Sequence, residues 1–142
     1  MTGYHTDFAL WAEEQAALLR AGMLNGLDRE NLAGELDGLA RALRRELDAR
    51  LARLLQNLLQ WELSGGDQRP AWYAAIQEER STIPRLLTDA PSLCRHWPQT
   101  LARAWLRALD DAAAMSGLPR QLLPLTCPFT PGQILDVAFW PA

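Results

Sequence analysis

Leu32, Leu36, Leu39, Leu43, Leu47, Leu51, Leu54, Leu58 and Trp61 follow one another by steps of three and four residues. The mean step is roughly 3.6 residues, the period of a straight α-helix rather than the shorter repeat of a two-stranded coiled coil. The spacing predicts one long helix over about residues 28–63, with Asp28 as its N-cap and Ser64-Gly65-Gly66 as its stop. At about 1.5 Å per residue that helix is on the order of 50 Å long, too long for one ordinary helix to cover. Everything else in the chain has to be read as what packs along it.

Phe8, Trp11, Ala12, Gln15, Leu18 and Leu19 recur at helical spacing, and Gly22 with Asn25-Gly26 supplies a stop and a turn, so a first helix is expected over about 7–20. Trp72, Ile76, Glu79, Ile83, Leu86 and Leu87 mark a third helix over about 70–88, with Pro84 expected to kink its end. Asp89-Ala90-Pro91-Ser92 suits a short capped turn. Pro98 then opens a fourth, alanine-rich helix carrying Leu101, Ala104, Trp105, Ala108, Leu109, Ala112 and Met115 to Gly117. Five prolines from Pro119 to Pro141 rule out another long helix, but Thr130-Pro131-Gly132-Gln133 has the capping-box pattern for one short turn through Val137.

The expected fold is all-α. It is an antiparallel helical bundle built around one long central helix, forming a single domain over 1–142 with a Pro-rich tail, 118–142, packed on it. The first helix should lie antiparallel along the first half of the long helix. The third should cover its second half, with the fourth against the third.

The chain has 142 residues, 49% of them apolar, enough to bury a core without staples. Its formal charge of −3 provides no positive field to gather nucleic acid, which makes a nucleic-acid partner unlikely on this reading. Its fourteen basic residues are all Arg, an absence of Lys best read as coding bias. No run approaches the roughly 18 apolar residues of a membrane span, and the first residues lack a leader pattern. Two cysteines, Cys94 and Cys127, are too few for a disulfide framework, so a cytoplasmic location is expected. The six tryptophans are read first as core fillers and second as partner anchors.

Along its whole length the chain carries Tyr4-His5-Thr6-Asp7-Phe8 and Trp11, Leu18-Leu19-Arg20-Ala21-Gly22, Leu27-Asp28 with Asn31-Leu32 and Glu35, and Leu58-Leu59-Gln60-Trp61. Further on come Trp72, Ile76 and Arg80, Pro91-Ser92-Leu93, Gly117-Leu118-Pro119, Cys127-Pro128 and Phe139-Trp140-Pro141. In these, in order, it resembles a bacterial family named only as domain of unknown function 29, whose members are small helical proteins. The resemblance implies a single helical domain and supplies no activity. Where family members commonly read His-Leu-Leu-Lys-Trp this chain reads Asn57-Leu58-Leu59-Gln60-Trp61, which removes a candidate ligand or base and a neighbouring cation.

Catalytic and metal chemistry find little footing. Cys94-Arg95-His96 sets two candidate ligands together, but His5 and Cys127 are remote, no spacing completes a site, and no cofactor is expected. Neither His has an acid or nucleophile partner by pattern, and Gly65-Gly66 lacks the Lys of a phosphate-binding loop. Arg41, Arg44 and Arg45 fall on the solvent side of the long helix. Arg50 and Asn57 fall inside its leucine stripe, and Glu79 lies on the apolar face of the third helix. A hairpin centred near Gly66 sets Glu79 level with Leu54, so Arg50, Asn57 and Glu79 form the candidate buried polar cluster, with an Arg–carboxylate pair at its heart. The function expected is non-catalytic binding or assembly, with a protein partner or a second copy of the chain. The alternative is a small-molecule binder or enzyme using that cluster.

Overall fold

A computed structural model describes residues 1–65 and 70–142, so Gly66, the expected centre of the hairpin, lies outside the described residues. The helices are α1 (Phe8–Arg20), α2 (Arg29–Leu63), α3 (Pro70–Asp89), α4 (Trp97–Ser116) and α5 (Pro131–Leu135). Tight 3-10 turns lie at Leu24–Gly26, Pro91–Cys94 and Arg120–Leu122, and there is no strand among the described residues. The all-α bundle expected from the stripes is what the chain forms.

Helix ends follow local chemistry. Asp7 accepts the Leu10 N–H at 3.0 Å to start α1. At its end Gly22 takes the left-handed conformation, φ 72°, and the Gly22 and Met23 N–H groups return to the carbonyls of Leu19 and Leu18. That double return closes the last turn and favours glycine at the pivot. Pro84 sits within α3, which continues to Asp89. The predicted capping box is present at α5: the Gln133 N–H donates to Thr130 Oγ1 at 3.1 Å while the Thr130 N–H donates to Gln133 Oε1 at 3.0 Å.

The chain divides into two compact units, Met1–Leu43 and Arg44–Ala142. In the first, α1 meets the start of α2 through a polar hub. The Asp28 carboxylate accepts Trp11 Nε1–H at 3.0 Å and Asn31 Nδ2–H at 2.8 Å, while the Asp28 N–H donates to Gln15 Oε1 at 2.8 Å. Trp11 and Gln15 are the residues of α1 that become fully buried. Further along, the Tyr4 hydroxyl donates to Glu35. Beyond that point the expected cover of α2 by the first helix is not found. Leu36 and Leu39 are 66% and 64% exposed. The reason is directional: α1 is only 13 residues long, and it is held by a cap residue at the tip of α2 rather than by the leucine stripe.

In the second unit the same repeat is buried. Leu47, Leu51, Leu54, Leu55, Leu58 and Leu59 pack with Ile76 and Ile83 of α3, Trp105 and Leu109 of α4, and Phe129 and Ile134 of the tail. Each such side chain stabilises by about 1.5–3 kcal/mol on burial. α3 runs antiparallel to α2, with Arg50 and Arg53 reaching Glu79 and Glu78. α4, expected against α3, is bonded to α2 and runs parallel to it: Arg103 reaches Asp48, and buried Gln60 donates to the Ala112 carbonyl at 3.2 Å. Ala104, Ala108 and Ala112 are buried on α4, so that the backbones can approach closely. Trp11, Trp61 and Trp105 are buried and Trp72, Trp97 and Trp140 half-buried, in keeping with their reading as core fillers.

The tail is latched by a buried cation. Arg80, 3% exposed, donates to the carbonyls of Ile134 (2.9 Å), Phe139 (2.8 Å) and Gln133 (3.1 Å). Its guanidinium lies 5.3 Å from the ring centre of Trp140, which stacks on Tyr73 at 5.2 Å and 6°. Desolvation pulls the Arg80 pKa below its usual value, opposed by Asp136, and a guanidinium is too strong a base to give up its charge at neutral pH.

Two tests follow from this packing. Replacing Arg80 with Met leaves one buried and two part-buried carbonyls without their donors and is expected to cost about 3 kcal/mol, and Lys should restore little because an ammonium lacks the planar fork. Urea denaturation checks this; a loss below about 1 kcal/mol would mean that the tail is held by its apolar side chains alone. The second concerns Asp28, whose carboxyl is held below its usual 3.8 by the Asn31 side chain first, with desolvation opposing and Trp11 assisting. Because its folded pKa is depressed, its stabilisation is full above the unfolded value and is lost as pH falls through the folded one. The stability gap between the native chain and Asp28→Asn should therefore be constant from about pH 5 to about pH 7 and should shrink below roughly pH 4. A gap that does not change with pH would remove the charge from the hub.

Candidate functional site

Glu79 is the most completely buried acid of the second unit, 1% exposed, and reaches the interface because it shares the face of α3 with Ile76 and Ile83. Arg50 Nη1 lies 3.3 Å from both of its oxygens, and Arg53 Nη1 lies 2.8 Å from Oε1. Each arginine has a second acid: Arg50 Nε donates to Glu46 at 3.0 Å and Arg53 Nη1 to Glu78 at 3.0 Å. These bonds raise both guanidinium pKa values, Glu46 leading for Arg50 and Glu78 for Arg53, with Glu79 adding to each against desolvation. The result is a five-residue chain of alternating charge whose centre is dry and whose ends are wet.

The structure thus brings together Arg50 and Glu79 as the sequence spacing suggested, but not Asn57. The Asn57 amide donates to the Arg53 carbonyl one turn back, at 2.7 Å, a local bond within α2. Arg53 takes the place foreseen for it. On the helical wheel Arg53 lies at the edge of the stripe, where a long side chain can curl inward, and its position alone reads as solvent-facing. Arg80 was the other buried charge to be found. Its signal was present in the sequence, four residues after Ile76 and three before Ile83, beside the face that buries Glu79.

Chemically the Glu79 cluster is closed. The carboxylate has no accessible oxygen face for a substrate, and its partners are arginines that cannot give up protons. Elsewhere, no group of three or more His, Cys, Asp or Glu residues is placed to hold a metal ion among the described residues. Both cysteines are free thiols. Burial raises the pKa of Cys127, against a bond from its thiol to the Phe129 carbonyl, so it is a poor nucleophile; Cys94 is exposed. His5 packs edge-on against Tyr4, 4.8 Å between ring centres. No helix among the described residues is long and apolar enough to cross a membrane.

The shared carboxylate generates a non-additive prediction. Arg50→Met and Arg53→Met should each cost about 1 kcal/mol, because the remaining arginine still neutralises Glu79. Together they leave a buried charge alone and should cost about 3 to 5 kcal/mol, well beyond the sum. Glu79→Leu should be milder than the double variant, since it removes the buried charge itself and leaves Arg50 with Glu46 and Arg53 with Glu78. Additive losses in urea titrations would show that Glu79 is not the common partner.

No curated protein and no solved structure matches the chain. The family model described as domain of unknown function DUF29 matches residues 3–140, nearly the whole length, and the chain belongs to that family.

Proposed function

We propose that the chain is a non-catalytic assembly protein that associates with a second copy of itself through the first half of α2. The observation that carries this reading is the leucine repeat. It is buried at Leu47, Leu51, Leu54 and Leu58, but Leu36 and Leu39, and to a lesser extent Leu43, are open to water on a well-formed helix. A run of bare leucines at helical spacing is the usual mark of a surface that meets another apolar surface. An isologous pair of copies, the commonest symmetry of soluble assemblies, sets the two bare stripes against each other and covers both at once.

The closed state of the Glu79 cluster weighs against the reading in which Arg50, Asn57 and Glu79 bind a small molecule. A cytoplasmic setting belongs to the same proposal and is supported by two free thiols in a chain of this size.

Sedimentation equilibrium at micromolar concentration should give a mass near twice the 15.9 kDa of one chain, and Leu36→Glu with Leu39→Glu should return it to one chain with helix content unchanged. A native protein that stays at the mass of one chain up to the highest soluble concentration would overturn the reading.

A further inference from the structure

A second feature, carried wholly by the unit Arg44–Ala142, points to a small-molecule site that the helical interfaces do not explain. A cleft of about 390 Å³ opens between α2, the turn Pro91–Cys94 and the first turns of α4. Its size falls within the range of about 300–1,000 Å³ typical of small-ligand sites. Leu47 and Leu93 line its apolar part, Leu47 fully buried and Leu93 half-buried. Its polar part is unusual for an acidic protein. Arg44 and Arg103 both line it, His96 stands beside them, and Asp48 is the single carboxylate. Two guanidinium groups against one carboxylate leave the lining at +1 on a chain whose total is −3.

The cations are not used up by the protein. Arg44 makes no ion pair with any described residue, whereas Arg50, Arg53, Arg103 and Arg120 all do. Arg103 is held only loosely, with Nη2 at 3.4 Å from Asp48 and 3.4 Å from the Thr100 hydroxyl. Thr100, a residue 5% exposed on the cleft wall, has that long bond as its hydroxyl's one hydrogen bond among the described residues. Such a long bond is weak, so the hydroxyl retains capacity for a better partner. In addition, His96 occupies the N-cap position of the 20-residue α4 without capping it through its side chain. The positive end of a helix dipole therefore adds to the field of the two arginines.

We propose that this cleft binds a small organic anion, with its acidic head group between Arg44 and Arg103, within reach of Thr100, and its apolar body on Leu47 and Leu93. Carboxylate and phosphate head groups share the chemistry that two guanidinium forks recognise. The site is separate from the α2 segment bearing Leu36 and Leu39, so it stands or falls independently of self-association.

Amide NMR titration of the full chain tests the proposal, with phenyl phosphate, phenylacetate and neutral benzyl alcohol as probes. Either anion should give saturable shifts confined to residues 44–48 and 92–103, the tighter of the two identifying the preferred head group, while benzyl alcohol should give none. Arg44→Ala and Arg103→Ala should each weaken binding by about five- to tenfold, the scale of one charge-assisted bond. Asp48→Asn, which removes the one opposing charge, should tighten it. All three positions lie outside the buried core, so the unfolding midpoint should hold and serves as the control. Non-saturable shifts, an equal response to benzyl alcohol, or unchanged affinity in both arginine variants would overturn the assignment.

Discussion

Glu79 and Arg80 are neighbours in α3, opposite in charge, and both are removed from water. They do not pair with each other. Consecutive residues on a helix point about 100° apart, so the acid faces α2 and the base faces the tail. Each buried charge must find its compensation in a different direction, since an uncompensated one would cost several kcal/mol. Glu79 draws in two arginines of α2 and Arg80 gathers three carbonyls from residues 133–139. Two adjacent residues thereby fix the register of α3 against both of its polar partners, while the leucines and isoleucines around them supply the non-directional part of the packing.

How much of this could be read from the sequence depends on whether a feature is periodic or local. The long helix, its N-cap, the capping box at Thr130 and the placement of Glu79 opposite Arg50 were all legible, because each follows from spacing along one element. The fate of the leucine repeat was not. Leu36 and Leu54, five whole turns apart, share one place on the wheel, and only tertiary contacts decide that one is bare and the other fully buried. Arg53 and Asn57 exchanged roles for a similar reason. A flexible four-bond side chain at the edge of a stripe can reach inward, while a short amide near the centre can be satisfied by its own backbone. The parallel course of α4 along α2 depends on where the connecting turn sets it down, which no stripe records.

The arginine-only chemistry of the chain, first read as coding bias, has a physical consequence in the folded protein. Every cation that the fold buries or half-buries is a planar group with five donors and a pKa too high to discharge. Arg80 satisfies three carbonyls with one side chain, Arg53 divides one nitrogen between two acids, and Arg50 bridges Glu46 and Glu79. A lysine at any of these positions would present a point charge to partners arranged for a fork.

The latch on the tail has a further implication, for the sequences that this fold can tolerate. Arg80 recognises main-chain oxygens at residues 133, 134 and 139, and those oxygens are present whatever side chains the positions carry. Side-chain identity at Gln133 can therefore drift without loosening the grip, provided that the capping box is replaced by another helix start. The number of residues between 134 and 139 cannot drift in the same way, because an insertion or deletion there moves the third carbonyl out of reach. Along this stretch the fold is strict about chain length and lenient about chemistry, the reverse of what holds for the leucine-filled interior.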